Sequence, residues 1–393
     1  MKIPNRNFYG IFVLLVIALL LLGCQHDEDE LEDKLSQRTI IMFYPWSLNL
    51  KTFFEDNIDD FSDAIKEGIL NDERVVVCLS SKPSEALLIE IAEENGICRR
   101  DTFAIISHPD FTDEAEFSKM LRMVGSHAPA HHYSMIAGGH GMAWLPPGMI
   151  PKQQVNKTLL NGQSATRWFG DFTEGNQIDI TVMANGIKKA GMHMDYILFD
   201  DCYMSSVEVA YALRDVTDYL IGCPSEIMSF GFPYYYCAKY LVGYPNYENI
   251  CKTFKDFYSG YHMPYGTVAV TDCHELDNLA YIVKQINTTC LKKDYDINEI
   301  QTMDGFSPSL FFDFGDTYSH LSTDSLLLNS LRQQLDKTVP YKACTENYYS
   351  AYSGCRKINH FSGLTTSAIT DGDYMNAYRE TEWNKATAPN FLK

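Results

Sequence analysis

Two short stretches end in residue types that could do covalent chemistry together. Tyr196-Ile197-Leu198-Phe199-Asp200-Asp201-Cys202 is an apolar run closing on two acids and a thiol. Tyr133-Ser134-Met135-Ile136-Ala137-Gly138-Gly139-His140-Gly141 is an apolar run closing on an imidazole between glycines. Apolar runs without alternation read as strands buried on both faces. After Met204, Val207, Ala210, Tyr211 and Leu213 recur at helical spacing, which predicts a helix to about Arg214. Cys202 is therefore expected at the carboxyl edge of a sheet, beside a helix N-terminus. Ligands of open α/β sheets bind at that edge, and free N–H groups with the helix dipole favour a thiolate there. The glycines around His140 let the backbone turn sharply and approach a ligand, and the Gly141 N–H could then meet an oxyanion. A thiol, an imidazole and amide donors are the parts that acyl transfer needs. The plainer reading of Cys202 is a small buried apolar residue, as many unbridged cysteines are.

The order, spacing and strand context of these motifs resemble the clostripain-like cysteine peptidases, relatives of the caspases, legumains and gingipains. Asp200 to Glu208 is similar to the nucleophile segment of that family. Pro224-Ser225-Glu226 and Phe230-Gly231-Phe232-Pro233-Tyr234 resemble its next strand end and pocket loop, and Ser362-Gly363-Leu364 with Glu382-Trp383 its C-terminal pattern. The resemblance spans roughly residues 38–385. It implies Cys202 as nucleophile, His140 as general acid/base, the amides of Gly141 and Cys202 as oxyanion hole, and Asp200 and Ser225 in an S1 pocket for a basic P1 side chain. One departure bears on that pocket: Ile227-Met228-Ser229-Phe230 stands where members with basic P1 preference carry an acid. The plainer reading of Asp200 is a strand-end acid capping the next helix. The resemblance also implies self-cleavage after a basic residue between histidine and cysteine, for which Lys152, Lys157 and Arg167 are candidates. Some members use calcium, but no ligands for it are identifiable. A catalytically inactive binding lipoprotein on the same scaffold, and a thiol amidase that is not a peptidase, are the alternative functions.

The elements that must position these residues follow a βαβ rhythm. Strands are expected at Thr39–Tyr44, Arg74–Leu79, Tyr133–Ala137, Tyr196–Phe199, Tyr219–Gly222 and Thr267–Val270, and helices at Thr52–Leu70, Leu87–Glu93, Asp113–Met123 and Ser325–Leu335. Strands alternating with helical patterns argue for an α/β fold with a mostly parallel sheet. With the resemblance, the expectation becomes a caspase-like sandwich with a six-stranded central sheet flanked by helices, plus a C-terminal subdomain. Between Trp144 and Ile178 the pattern lapses into a long polar segment, which in a compact domain is usually functional or mobile.

At 393 residues, 46% hydrophobic and 13% aromatic, the chain can bury a large core. A net charge of −19 argues against nucleic acid as partner. Residues 1–24 read as a targeting segment: Lys2 and Arg6 precede the apolar run Ile11–Leu22, too short for a comfortable membrane span. Leu21-Leu22-Gly23-Cys24 resembles a bacterial lipobox, which implies lipidation of Cys24 and a membrane anchor in the cell envelope. Residues 25–37 form an acidic tether of the kind that precedes surface exposure in some lipoproteins. A catalytic domain over 38–290 and a C-terminal subdomain over 291–393 complete the expected layout. The ten cysteines besides Cys24 include no CxxC pair, and a chain of this size does not depend on disulfides. His127, His131 and His132 cluster without an HExxH pattern, so no metal site is expected. Peptides or proteins are the expected substrates.

Overall fold

A computed structural model of the chain describes residues 35–46, 49–149, 169–170, 174–289, 294–369 and 372–389. Nine strands make one central sheet: β1 (Ser36–Tyr44), β2 (Glu73–Lys82), β3 (Glu85–Glu94), β4 (Ile97–Ser107), β5 (Ala130–Gly138), β6 (Met194–Asp200), β7 (Thr217–Gly222), β8 (Thr267–Asp272) and β9 (Tyr341–Cys344). Their order is β9-β8-β7-β6-β5-β1-β2-β3-β4. The middle five, β2-β1-β5-β6-β7, run parallel. The outer four attach antiparallel.

All six strands expected from the sequence are present, and three more extend the sheet at its two edges. Leu87–Glu93 was expected to be helical and is instead the body of β3. Leu, Ala and Glu favour a helix locally, but pairing along β2 satisfies this segment's backbone and buries Leu88 and Ile91. The readable signal was Asn95-Gly96: both residues have positive φ, 55° and 78°, in a two-residue turn between Glu94 and Ile97. That dipeptide between two apolar runs marks a hairpin.

Both faces of the parallel part of the sheet are covered, which is why its strands carry unbroken apolar runs. The helices are α1 (Lys51–Lys66), α2 (Glu114–His127), α3 (Ile180–Ala190), α4 (Val207–Leu213), α5 (Tyr234–Leu241), α6 (Tyr247–Gly260), α7 (Leu276–Thr289), α8 (Phe314–Leu321), α9 (Ser325–Thr338), α10 (Gly372–Arg379) and α11 (Glu382–Thr387). On one face Phe54, Phe61, Tyr234, Leu241 and Phe254 of α1, α5 and α6 pack with Ile40, Met42 and Leu198. On the other, Phe117, Ile187, Val207 and Val283 of α2, α3, α4 and α7 pack with Ile41, Phe43 and Phe199. Phe314, Leu335 and Trp383 from the C-terminal third belong to that second cluster. α2 starts where Asp113 accepts the amides of Ala115 and Glu116, an ordinary N-cap. Among the described residues no helix is long and apolar enough to cross a membrane.

Candidate active site

β5 and β6 lie side by side with Gly138 paired to Asp200. His140 and Cys202 each stand two residues beyond that pair, so both emerge at the same height from the carboxyl edge of the sheet. The glycines beside His140 are needed sterically. A Cβ on Gly139 would press on the Gly170 backbone at 3.0–3.3 Å, because His140 and Gly170 exchange both backbone hydrogen bonds, at 2.9 and 3.1 Å. A Cβ on Gly141 would lie 2.3 Å from the Cys202 carbonyl oxygen and 2.8 Å from Cβ of Asp201. These are main-chain and near-main-chain atoms that cannot swing away. Gly141→Ala is therefore expected to destabilise the fold by about 1–3 kcal/mol. Turnover is expected to fall by roughly a hundredfold, because the thiol-bearing backbone is displaced. Thermal melts and initial rates on one sample would check both.

His140, Cys202, Asp200 and Glu226 line a single cavity of about 550 Å³, walled by Leu50, Phe53, Met228, Phe230 and Tyr261. Cys202 and His140 are each 5% exposed. A ring nitrogen of His140, Nε2, lies 3.1 Å from Oδ1 of Asn49. The amide of Ile227 points at Sγ of Cys202 at 3.4 Å, and the Ile227 carbonyl is 3.8 Å from the same sulfur. Residues on β5, on β6, after β7 and before α1 thus converge on one groove. The helix after Cys202 begins later than its periodicity predicts: α4 starts at Val207, with Ser206 as N-cap on the Val209 amide. The dipole effect falls off within the first turn of a helix, so the local backbone matters more to this thiol than α4 does.

Asp200 sits at the floor of the groove. Its carboxylate accepts the Phe232 amide at 3.0 Å, the Tyr234 hydroxyl at 3.0 Å and Nδ2 of Asn57 at 3.2 Å. Burial pushes its carboxyl up to about 7, against the lowering effect of Tyr234 and Phe232. Gly231, at φ 69°, presses its backbone on this carboxylate so closely that a Cβ there would stand 2.4 Å from Oδ2. Asp201 is turned inward and fully buried, and neither of its oxygens has a hydrogen-bond partner of normal geometry. Burial first, and the Asp200 charge second, hold its carboxyl well above the usual range, with the Gly139 amide in partial relief. Burial and the neighbouring charge favour the protonated form in the fold, whereas the unfolded chain releases this proton near pH 4. The group's contribution to stability therefore falls as pH rises above that value. Asp201→Asn should accordingly gain on the wild type in melting temperature between pH 4 and pH 8. A difference that stays flat with pH would mean Asp201 is ionised in the fold.

The remaining sequence candidates are dispersed. Ser225 is not among the residues lining the cavity: it is fully buried and its hydroxyl pairs with Thr267 Oγ1 at 2.7 Å. Lys152, Lys157, Arg167 and Cys24 lie outside the described residues. His127 stacks on Phe103 and meets Glu90 at 2.7 Å, while His132 faces Asp195, so these histidines diverge. No group of three or more His, Cys, Asp or Glu among the described residues could hold a metal ion. Cys344 and Cys355 are not bridged to each other. Two groove residues were missed by sequence reasoning. Asn49 had no signal, since a lone polar residue before a helix reads as a turn. Glu226 was part of a quoted motif, but its place on the groove was not anticipated; both of its carboxylate oxygens are engaged, by the Tyr203 hydroxyl and the Ala351 amide.

A thiol and an imidazole on neighbouring strand tips of a parallel sheet, with helices on both faces, define a caspase-like cysteine peptidase. The clostripain family model matches residues 45–388, and the chain belongs to that family. Among solved structures it is similar to a secreted C11 cysteine protease from Bacteroides thetaiotaomicron, "iotapain", with 42% identity and a TM-score of 0.83 over 90% of this chain and 99% of that one. It is also similar to a clostripain from Bacteroides thetaiotaomicron in complex with the peptide inhibitor BTN-VLTK-AOMK: 49% identity, TM-score 0.54, covering 56% of this chain and 99% of that one. An inactive zymogen C11 protease from Parabacteroides distasonis matches with 25% identity and a TM-score of 0.75 over 90% of this chain and 99% of that one. No curated relative matches the chain.

Proposed function

We propose that this cysteine peptidase cuts peptide bonds by a Cys202–His140 dyad. The sulfur of Cys202 attacks the scissile carbonyl as its thiol proton passes to His140, and the new oxyanion is met by the amides of Gly141 and Cys202. His140 delivers a proton to the leaving amine as the C–N bond breaks, leaving a thioester on Cys202. Water then attacks the thioester, giving a proton to His140, which passes it to the departing sulfur; the thiol is restored and the acid product leaves as a carboxylate, its proton going to solvent. The single observation that carries this reading is the shared register: Gly138 pairs with Asp200, and the imidazole and thiol rise two residues beyond it into one groove. Asn49 serves in this scheme to hold the imidazole, through its Oδ1 on Nε2.

The P1 side chain is assigned to the pocket floored by Asp200, which favours Lys or Arg. A relative with 49% identity is bound to an inhibitor whose peptide, VLTK, ends in lysine. Ser225 contributes to that pocket only as a support under its floor. The chain is further proposed to be lipid-anchored in the cell envelope through Cys24 and to be trimmed at Lys152, Lys157 or Arg167; two of its relatives are described as secreted and as a zymogen. A peptidyl electrophile ending in lysine tests the core of this reading. Mass spectrometry should find it on Cys202, and displacement to another residue, or no labelling, would remove the assignment.

A further inference from the structure

The residue after the nucleophile is held in a conformation that its own chemistry resists. Tyr203 has φ 64°, the left-handed region, which a bulky side chain occupies only when its surroundings impose it. Three contacts impose it here. Its amide donates to the Ser225 carbonyl at 3.1 Å. Its ring stacks on Phe311 with centroids 4.8 Å apart. Its hydroxyl donates to Oε1 of Glu226 at 2.7 Å. The second oxygen of Glu226 accepts the Ala351 amide at 3.0 Å, from the end of the hairpin strand Asn347–Ser350. Glu226 is buried, lines the catalytic groove, and immediately precedes Ile227, whose backbone brackets the Cys202 sulfur.

We propose that Glu226 is a positioning residue for the nucleophile: its carboxylate ties the Cys202–Tyr203 turn to the Glu226–Ile227 segment and fixes both to the C-terminal hairpin. One side of this clamp sets the backbone that carries the thiol, and the other sets the peptide that faces it. There is no slack on the opposite flank, because the Cys202 carbonyl lies 2.3 Å from where a Cβ on Gly141 would stand. Rotation at Tyr203 would therefore turn the Cys202 carbonyl and the sulfur away from their present places. The proposal rests on Cys202 as nucleophile, but the clamp does not touch the substrate's reacting atoms. Its loss acts through placement of the thiol and not through substrate affinity. Glutamine can replace the carboxylate in this role, since its oxygen can accept from Ala351 while its NH2 donates to the Tyr203 oxygen.

The test compares Tyr203→Phe, Glu226→Ala, Glu226→Gln and the Tyr203→Phe/Glu226→Ala double variant, with melting curves alongside. Each clamp-breaking variant should lower kcat by about 10–100-fold with KM within about twofold. The double variant should fall no further than Glu226→Ala, and Glu226→Gln should stay within about threefold of wild type. The rate of Cys202 alkylation by iodoacetamide, located by mass spectrometry, should change in the same order. Wild-type kcat in Tyr203→Phe, a loss confined to KM, or Glu226→Gln as impaired as Glu226→Ala would each overturn the clamp. Should Glu226→Ala fail to fold, Tyr203→Phe alone decides. Turnover by Cys202→Ala would instead overturn the nucleophile assignment, whatever the clamp variants do.

Discussion

Cys202→Ala and His140→Ala are each expected to lower turnover of a peptide substrate by at least about ten-thousandfold while the fold persists. In the proposed mechanism, removal of the sulfur deletes the atom that would form the acyl-enzyme bond, so only groove binding and any oxyanion donors remain. In the same proposed mechanism, removal of the imidazole takes away the proton source for the leaving amine and leaves Asn49 with no ring to hold. The two losses should not add in the double variant, because the residues act as one unit. Stability is expected to change little at Cys202, a side chain with one buried sulfur, and somewhat more at His140. Initial rates with equal concentrations of melted-curve-matched protein decide the matter. Turnover within tenfold of wild type by either single variant would separate that residue from the chemistry.

Asp200→Asn should lower kcat/KM for peptides with Lys or Arg at P1 by about a hundredfold or more, and change peptides with neutral P1 by less than about threefold. Asparagine keeps the shape: its oxygen can still accept from Phe232, while its NH2, in the place of Oδ2, can donate to the Tyr234 oxygen, so the loss is chiefly that of the charge. The pH dependence gives an independent reading. With burial pushing the Asp200 carboxyl up to about 7, the acid is largely neutral below that pH in the empty groove. A cationic P1 side chain favours the ionised form. The wild-type kcat/KM for basic P1 should therefore climb with a slope near one up to about pH 7 and then level, beyond what neutral P1 peptides show. In Asp200→Asn the extra limb should vanish. If both profiles coincide before and after substitution, Asp200 is a buried strand-end acid and P1 is chosen by the apolar wall of Met228, Phe230 and Tyr261.

What could be read from the sequence was whatever local physics writes into neighbouring residues. Unbroken apolar runs marked the six strands, since a strand buried on two faces has no polar side to show. Glycines flanking His140 and the acids before Cys202 marked two strand ends with chemistry on them, and the order of these motifs indicated the family. The edge hairpin escaped because the Leu, Ala and Glu of Leu87–Glu93 favour a helix, and only pairing with β2 overrules that preference. Other features depended on contacts between residues far apart in the chain. The register that levels His140 with Cys202 joins segments 62 residues apart, from Gly138 to Asp200. Asn49 reaches His140 across 91 positions, and Ala351 reaches Glu226 across 125. No spacing rule encodes such distances. They are fixed when the two apolar clusters close on the sheet and leave the backbone after β6 a single place to turn. Residue types and their neighbours thus determined which groups could react, and the packed sheet decided which of them meet, because only burial on both faces sets strand register.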